Sequence, residues 1–180
     1  RDGFKRKRYS SYDEYLEHQK KKLKQIHAGT YEWFAEYDQR YRRELGERLK
    51  HHGRVNARQV VLCLAARIGT EVKAFQDLGC FAVGLDLNPG KDNKYVLYGD
   101  FHAIQFPDHS VDVVFCNSLD HAFDLEKLFA EIKRVLRPGG LVVLEINAEG
   151  EQAGASAGYF ESVTLQYNML DRRLADGIAL

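Results

Sequence analysis

The 180-residue chain balances 26 basic against 26 acidic side chains and is 44% hydrophobic, enough to bury one substantial core. No stretch approaches the roughly 18–20 apolar residues of a membrane span, and no charged-then-apolar leader opens the sequence, so no membrane partner is expected. Cys63, Cys80 and Cys116 are odd in number and lack metal-ligand spacing, which argues for buried thiols in a reducing, cytoplasmic compartment.

The first residue is Arg1 and the single methionine is Met169, so the natural start is expected outside this sequence. The zero net charge hides two unlike halves. Residues 1–54 hold 15 Lys and Arg against 9 Asp and Glu, and residues 55–180 hold 11 against 17. The basic excess gathers at residues 5–8 and 20–24. Such runs attract phosphates or nucleic acid, although a solvated helix face explains them as well.

Residues 10–50 read as helical. Ser10 or Ser11 followed by Glu14 is a capping signal, and Tyr12, Tyr15 and Leu16 begin an apolar stripe. A second stripe, Trp33/Phe34, Tyr37, Tyr41, Leu45 and Leu49, advances by three or four residues and predicts one buried helix face. Aromatics at this spacing ordinarily pack on a core, with Tyr12 or Trp33 as candidates to face a substrate. Residues 1–54 thus read as a helical lid on a domain spanning residues 55–180.

From residue 58 the pattern alternates. Apolar runs at 60–64, 80–85, 95–98, 110–116 and 141–146 predict strands, and residues 71–79 and 125–136 predict helices, the second with Asp124 near its start. Arg137-Pro138-Gly139-Gly140 is expected to separate helix from strand. Residues 150–158 read as loop, 165–175 as helix and 177–180 as a strand just starting, so the domain reads as truncated with its last strands incomplete. Strand and helix in alternation predict a doubly wound, Rossmann-like, mostly parallel α/β sheet with right-handed crossovers. Ligands in such sheets bind beyond the carboxyl ends of the strands, which marks residues 63–70, 86–88, 100–101 and 117–121.

Each of these segments carries plausible chemistry. Asp86 ends the second strand where a carboxylate accepts from two vicinal ribose hydroxyls, unless it only shapes the turn before Asn88-Pro89-Gly90. Leu87 adjoins it. Asp100 can accept from an exocyclic amino group while the amide of Phe101 meets a ring nitrogen, or it can simply cap a turn.

From residue 99 the sequence runs GDFHAIQFPDHSVDVVFCNSLDHAFDLEKLFAEIKRVLRPGGLVVLE. This Gly-Asp, the Phe-Pro-Asp-x-Ser-x-Asp approach to a strand and the Arg-Val-Leu-Arg-Pro-Gly-Gly turn resemble the class I S-adenosylmethionine-dependent methyltransferases of the small single-domain type. The resemblance covers about residues 58–147 and implies S-adenosylmethionine as cofactor and methyl transfer as activity. In that family an acidic residue and Gly-x-Gly-x-Gly follow the first strand. Here Cys63, Leu64, Ala65, Ala66, Arg67, Ile68 and Gly69 stand there, so one glycine is kept.

Cys63 replaces the carboxylate, Ala65 is tolerable where φ is negative, and Arg67 adds bulk and charge. Glu71 either compensates by receiving the cofactor's ammonium or only favours the helix start. Asn117 and Ser118 are expected at the methionine end. His121 is the candidate general base with Asp120 to orient it, or these residues form a helix cap and rim. His102 is a weaker alternative base. No metal site is assigned.

The acceptor implied is a small molecule. Nucleic acid is disfavoured, because the Asn/Asp-Pro-Pro-aromatic signature of base methylation is replaced by Cys116-Asn117-Ser118-Leu119-Asp120. An NAD-dependent oxidoreductase is disfavoured by the lack of G-x-G-x-x-G. A methyltransferase-fold binding or regulatory protein without catalysis is the alternative raised by the altered loop.

Overall fold

A computed structural model describes residues 9–28, 31–147 and 160–166; the side chains of residues 22–28, 31–34, 120, 146–147 and 160–166 lie outside the description. The basic run at 5–8, the loop at 150–158 and the strand expected at 177–180 also lie outside it. Helices α1 (Tyr12–Ala28) and α2 (Tyr31–His52) come first. Ser11 caps α1 by accepting from the Glu14 amide at 3.2 Å, while the Glu14 carboxylate accepts from the Ser10 amide and hydroxyl at 2.7 and 2.6 Å. The exchange leaves fewer orphan donors at the helix start.

Strands β1 (Val60–Leu64), β2 (Phe81–Asp86), β3 (Val96–Tyr98), β4 (Val111–Cys116), β5 (Leu136–Asn147) and β6 (Phe160–Gln166) form one sheet in the order β3-β2-β1-β4-β5-β6. The first five run parallel and β6 pairs antiparallel to β5. Helices α3 (Thr70–Asp77) and α4 (Leu125–Val135) are the crossovers. The expected Rossmann-like sheet is therefore present.

Two features differ from expectation. β5 starts at Leu136, directly after α4, and carries Arg137–Gly140 as an irregularity: its register against β4 shifts between Val111 and Val113. Gly139 takes φ 81°, so the Pro-Gly-Gly sequence bends a strand instead of preceding one. Residues 165–166, expected to start a helix, end β6 instead; pairing to the edge of β5 overrides a weak local helical pattern.

Alternation along the strands explains the layers. Val61, Cys63, Val113, Phe115, Leu141 and Val143 face one way and pack with Tyr41, Leu45 and Leu49 of α2 and Val72 and Phe75 of α3. Leu62, Leu64, Leu85, Val114, Cys116, Val142 and Leu144 face the other way, under Leu128, Phe129, Ile132 and Val135 of α4. Each large side chain so enclosed contributes roughly 1.5–3 kcal/mol. α2 thus shares one core with α3. α1 lies at the strand ends, where Tyr12 and Tyr15 meet His102 and Phe123.

Candidate active site

The strand ends are aligned by register. Leu64 lies beside Leu85 and Cys116, and Cys116 lies beside Leu144. The next residues, Ala65, Asp86, Asn117 and Glu145, therefore form one row at the carboxyl edge of the sheet. Three of them carry polar side chains, and the loop between β1 and α3 folds across the row.

That loop has a glycine-rich backbone without the glycines. Ala65 takes φ 53° and Arg67 φ 45°, both in the left-handed region. The condition under which alanine is readily tolerated at 65, a negative φ, is not met: the tight turn is kept, and two non-glycine residues carry the strain, roughly 1–2 kcal/mol each. The Arg67 amide donates to Asp86 Oδ2 at 2.9 Å and the Ala66 amide to the Leu85 carbonyl at 3.2 Å, which holds the turn closed. Gly69, at φ 87°, opens α3, and a Cβ there would meet Tyr95 Cβ at 2.6 Å. Cys63 is fully buried in the core, where burial pushes its thiol well above the ordinary range. The side chain that replaces the family's carboxylate is thus a packing group.

Asp86 accepts at both oxygens, from Arg67 at 2.9 Å and from the Asn88 amide at 2.8 Å. It therefore shapes the turn, and each oxygen retains acceptor capacity. Leu87 follows, buried. Asp100 is more heavily engaged. Its Oδ1 accepts from the His102 amide at 2.8 Å and lies 3.0 Å from His102 Nδ1, and its Oδ2 accepts from the Tyr12 hydroxyl. Burial would raise this carboxyl, but the bonds from His102 and Tyr12 prevail and hold it below its usual value.

His102 Nε2 accepts from the Asp124 amide at 3.2 Å, which places the ring proton on Nδ1, toward Asp100. With both nitrogens engaged and the ring buried, His102 braces Asp100 against the start of α4. Phe101 stacks on it with ring centroids 4.6 Å apart.

At the other end of the row, polar groups form a chain. Asn117 Nδ2 donates to Glu71 Oε1 at 3.0 Å and to the Tyr41 hydroxyl at 2.9 Å, and Tyr41 donates to Glu145 Oε2. Arg48 Nε and Nη2 donate to Glu145 Oε1 at 2.9 and 2.6 Å. Ser118 donates to Asn117 Oδ1 at 3.1 Å. Burial pushes the Glu71 carboxyl up to about 7, against the opposing pull of Asn117 and Arg67. Tyr41, Arg48 and Glu145 were not singled out for the site from sequence, because they lie about 100 residues apart along the chain. The apolar spacing of α2 was the only signal, and it marked Tyr41 as core.

His121 ends a single 3-10 turn, Leu119–His121, and is half-buried at the rim. The side chain of Asp120 lies outside the described residues. Asp124 caps α4 by accepting from the Lys127 amide at 3.0 Å.

Residues 62–144 match a family model described as a methyltransferase domain. The match covers less than half of the chain, and over it the chain resembles the class I methyltransferases. S-adenosylmethionine is the cofactor of that class. The chain is similar to malonyl-[acyl-carrier protein] O-methyltransferase of Yersinia pestis, at 34% identity over 118 residues, 60% of this chain and 44% of that one. It is also similar to sterol 24-C-methyltransferase of Gibberella zeae, at 33% over 87 residues, 47% of this chain and 23% of that one. It therefore spans less than half the length of these two relatives.

Among solved structures, a Haloferax volcanii complex of the Trm112 methyltransferase activator and a methyltransferase is 28% identical with a TM-score of 0.51 over 62% of this chain and 56% of that one. The acceptor set at the strand ends suits a nucleoside and an amino acid: a carboxylate at the end of β2 and another just after β3, a third acid at α3, and a loop turned tightly enough for close approach. At the opposite, amino end of β4 and β5, two arginines brace the scaffold. Arg134 reaches the carbonyls of Ile104 and Phe106 and the carboxylates of Asp108 and Glu131 at 2.7–2.8 Å, and Arg137 pairs with Asp112 at 2.7 Å.

Proposed function

We propose that this chain carries the cofactor site of an S-adenosylmethionine-dependent methyltransferase whose acceptor is a small molecule. The observation that carries this reading is the row of Asp86, Asn117 and Glu145 at aligned strand ends, with Asp100 and Glu71 beside it. Asp86 would take the ribose, Asp100 and the Phe101 amide the adenine, and Glu71 the ammonium. Asn117 and Ser118 would line the methionine, and the Arg67 and Gly69 backbone would close over it. When bound, the cofactor supplies a methyl group on a sulfonium. The protein then has to orient the acceptor in line and remove a proton where the acceptor carries one.

His121, at the rim beyond β4, is the residue proposed to take that proton, with Asp120 to orient it. Residues 1–54 are proposed to provide the cover over this cleft through α1. The relatives named for a carboxyl oxygen and for a sterol carbon do not agree on an acceptor atom, so the reading stops at the class. Calorimetric titration with S-adenosylhomocysteine tests it. Micromolar binding is expected, and none at millimolar ligand overturns it. With an acceptor in hand, His121→Ala should reduce turnover by roughly 10²–10⁴ while leaving cofactor affinity unchanged; undiminished turnover removes His121 from the role.

One observation favours a second reading, a methyltransferase-fold protein without catalysis. Tyr12 of α1 already holds the Asp100 carboxylate. Cofactor binding without transfer to any acceptor would support that reading.

A further inference from the structure

The hydroxyl of Tyr15 is, among the described residues, the buried side-chain polar atom that has no hydrogen-bond partner. The residue is 1% exposed. Native proteins pair nearly all such groups, so an unpaired one calls for a reason. Its surroundings supply one. The ring stacks on Tyr12 at 5.5 Å and meets the edge of His102 at 5.7 Å, and these two residues hold Asp100 from either side. The nearby negative charges are Asp100 and Asp86, and together with burial they hold the phenol in its protonated, donating form. Tyr15 therefore packs against the two residues that hold the carboxylate proposed for the adenine, within electrostatic reach of the one proposed for the ribose. Helix α1 brings it there from outside the sheet, anchored by its Ser11 cap and by the packing of Tyr12 and Tyr15 against Phe123.

We infer that Tyr15 is a cofactor-binding residue whose hydroxyl donates a hydrogen bond to the nucleoside portion of the ligand. The inference rests on the proposed function and adds to it a contact that none of the strand-end segments contains. A donor suits this place, since the two carboxylates only accept. The ribose oxygens and the ring nitrogens of adenine both offer acceptors. The bond would be made only in the complex, so the free protein keeps a buried hydroxyl unpaired until ligand arrives. α1 thereby gains a ligand-dependent reason to stay seated.

Titration of S-adenosylhomocysteine and of 5′-methylthioadenosine into the wild-type chain and Tyr15→Phe tests this, together with the Tm of each protein without ligand. Tyr15→Phe should weaken both ligands by the same factor, about five- to tenfold, the worth of one hydrogen bond. Its ligand-free Tm should be equal or higher, because the ring stays and an unpaired polar atom is gone. Equal affinities for the two proteins overturn the inference. A loss confined to S-adenosylhomocysteine overturns it too, because the contact would then lie at the amino-acid end. A lowered ligand-free Tm does the same, since the hydroxyl would already have a partner in the protein. Failure of the wild type to bind either ligand overturns the proposed function itself, and the inference with it.

Discussion

The two ends of the cleft solve the same problem in opposite ways. At the end proposed for the methionine, Glu71, Asn117, Tyr41, Glu145 and Arg48 form a closed chain of hydrogen bonds that runs from α3 through β4 to β5 and α2. At the end proposed for the nucleoside, Asp100 is held by Tyr12 and His102, yet the neighbouring Tyr15 hydroxyl has no partner. One end is complete without ligand and the other is not. A satisfied buried network contributes rigidity, whereas an unsatisfied buried group makes stability depend on what binds.

Removing the deepest member of the closed chain should do the most damage. Glu145→Ala leaves Arg48 and Tyr41 without their acceptor and should cost about 3 kcal/mol of stability in urea unfolding. A loss well under ~1 kcal/mol would mean that the chain of bonds does not hold α2 to the sheet. At the nucleoside end, Asp86→Ala should instead weaken S-adenosylhomocysteine by roughly 1–3 kcal/mol. Unchanged calorimetric affinity in a folded variant would detach Asp86 from the ribose.

Glu71 gives the comparison a pH axis. Its folded value, about 7, lies above the ordinary carboxyl value of 4.5, so between these limits the folded protein binds more protons than the unfolded chain. Its contribution to stability is therefore full below the ordinary value and falls as pH rises to about 7. Cofactor affinity should move the opposite way. An incoming ammonium needs the ionised carboxylate, so S-adenosylhomocysteine should tighten by up to about tenfold per pH unit as pH rises toward 7. Arg67 and Glu145 act on Glu71 with opposite sign, and Tyr37, Tyr41 and Cys63 face it as neutral groups. Glu71→Gln should flatten the profile; a profile that keeps its slope assigns the ammonium elsewhere.

The smallest effect belongs to the loop between the two ends. Ala65→Gly relieves roughly 1–2 kcal/mol of left-handed strain and gives back about 0.5–1 kcal/mol in unfolded-chain entropy. The net should be a stabilisation of about 0.5–1 kcal/mol in thermal unfolding. Destabilisation by Ala65→Gly would show that the turn is not strained.

The strands, α4 and the strand-end positions of Asp86, Asp100 and Asn117 were legible because side-chain period and strand boundaries are written in the local pattern. The motifs that marked the family proved to be partly clamps: Arg134 fastens the approach to β4 onto α4, and Arg137 ties β5 to β4 through Asp112. Sequence could show that these residues recur together but not that they touch. β6 and the early start of β5 were missed because edge pairing and a glycine bulge outweighed the local pattern.

The sequence by itself determined an alternating α/β domain, where its candidate ligand edge lies, and that the loop there keeps one glycine of the family's pattern. Only the tertiary structure decided that Ala65 and Arg67 keep the glycine-like turn, that Cys63 is packing, and that Asp100 answers to α1. Only tertiary contact could also bring Tyr15 beside His102 and Tyr41 beside Glu145. Backbone sign and contacts across some 90–100 residues depend on how layers close around a core, and no local pattern encodes that.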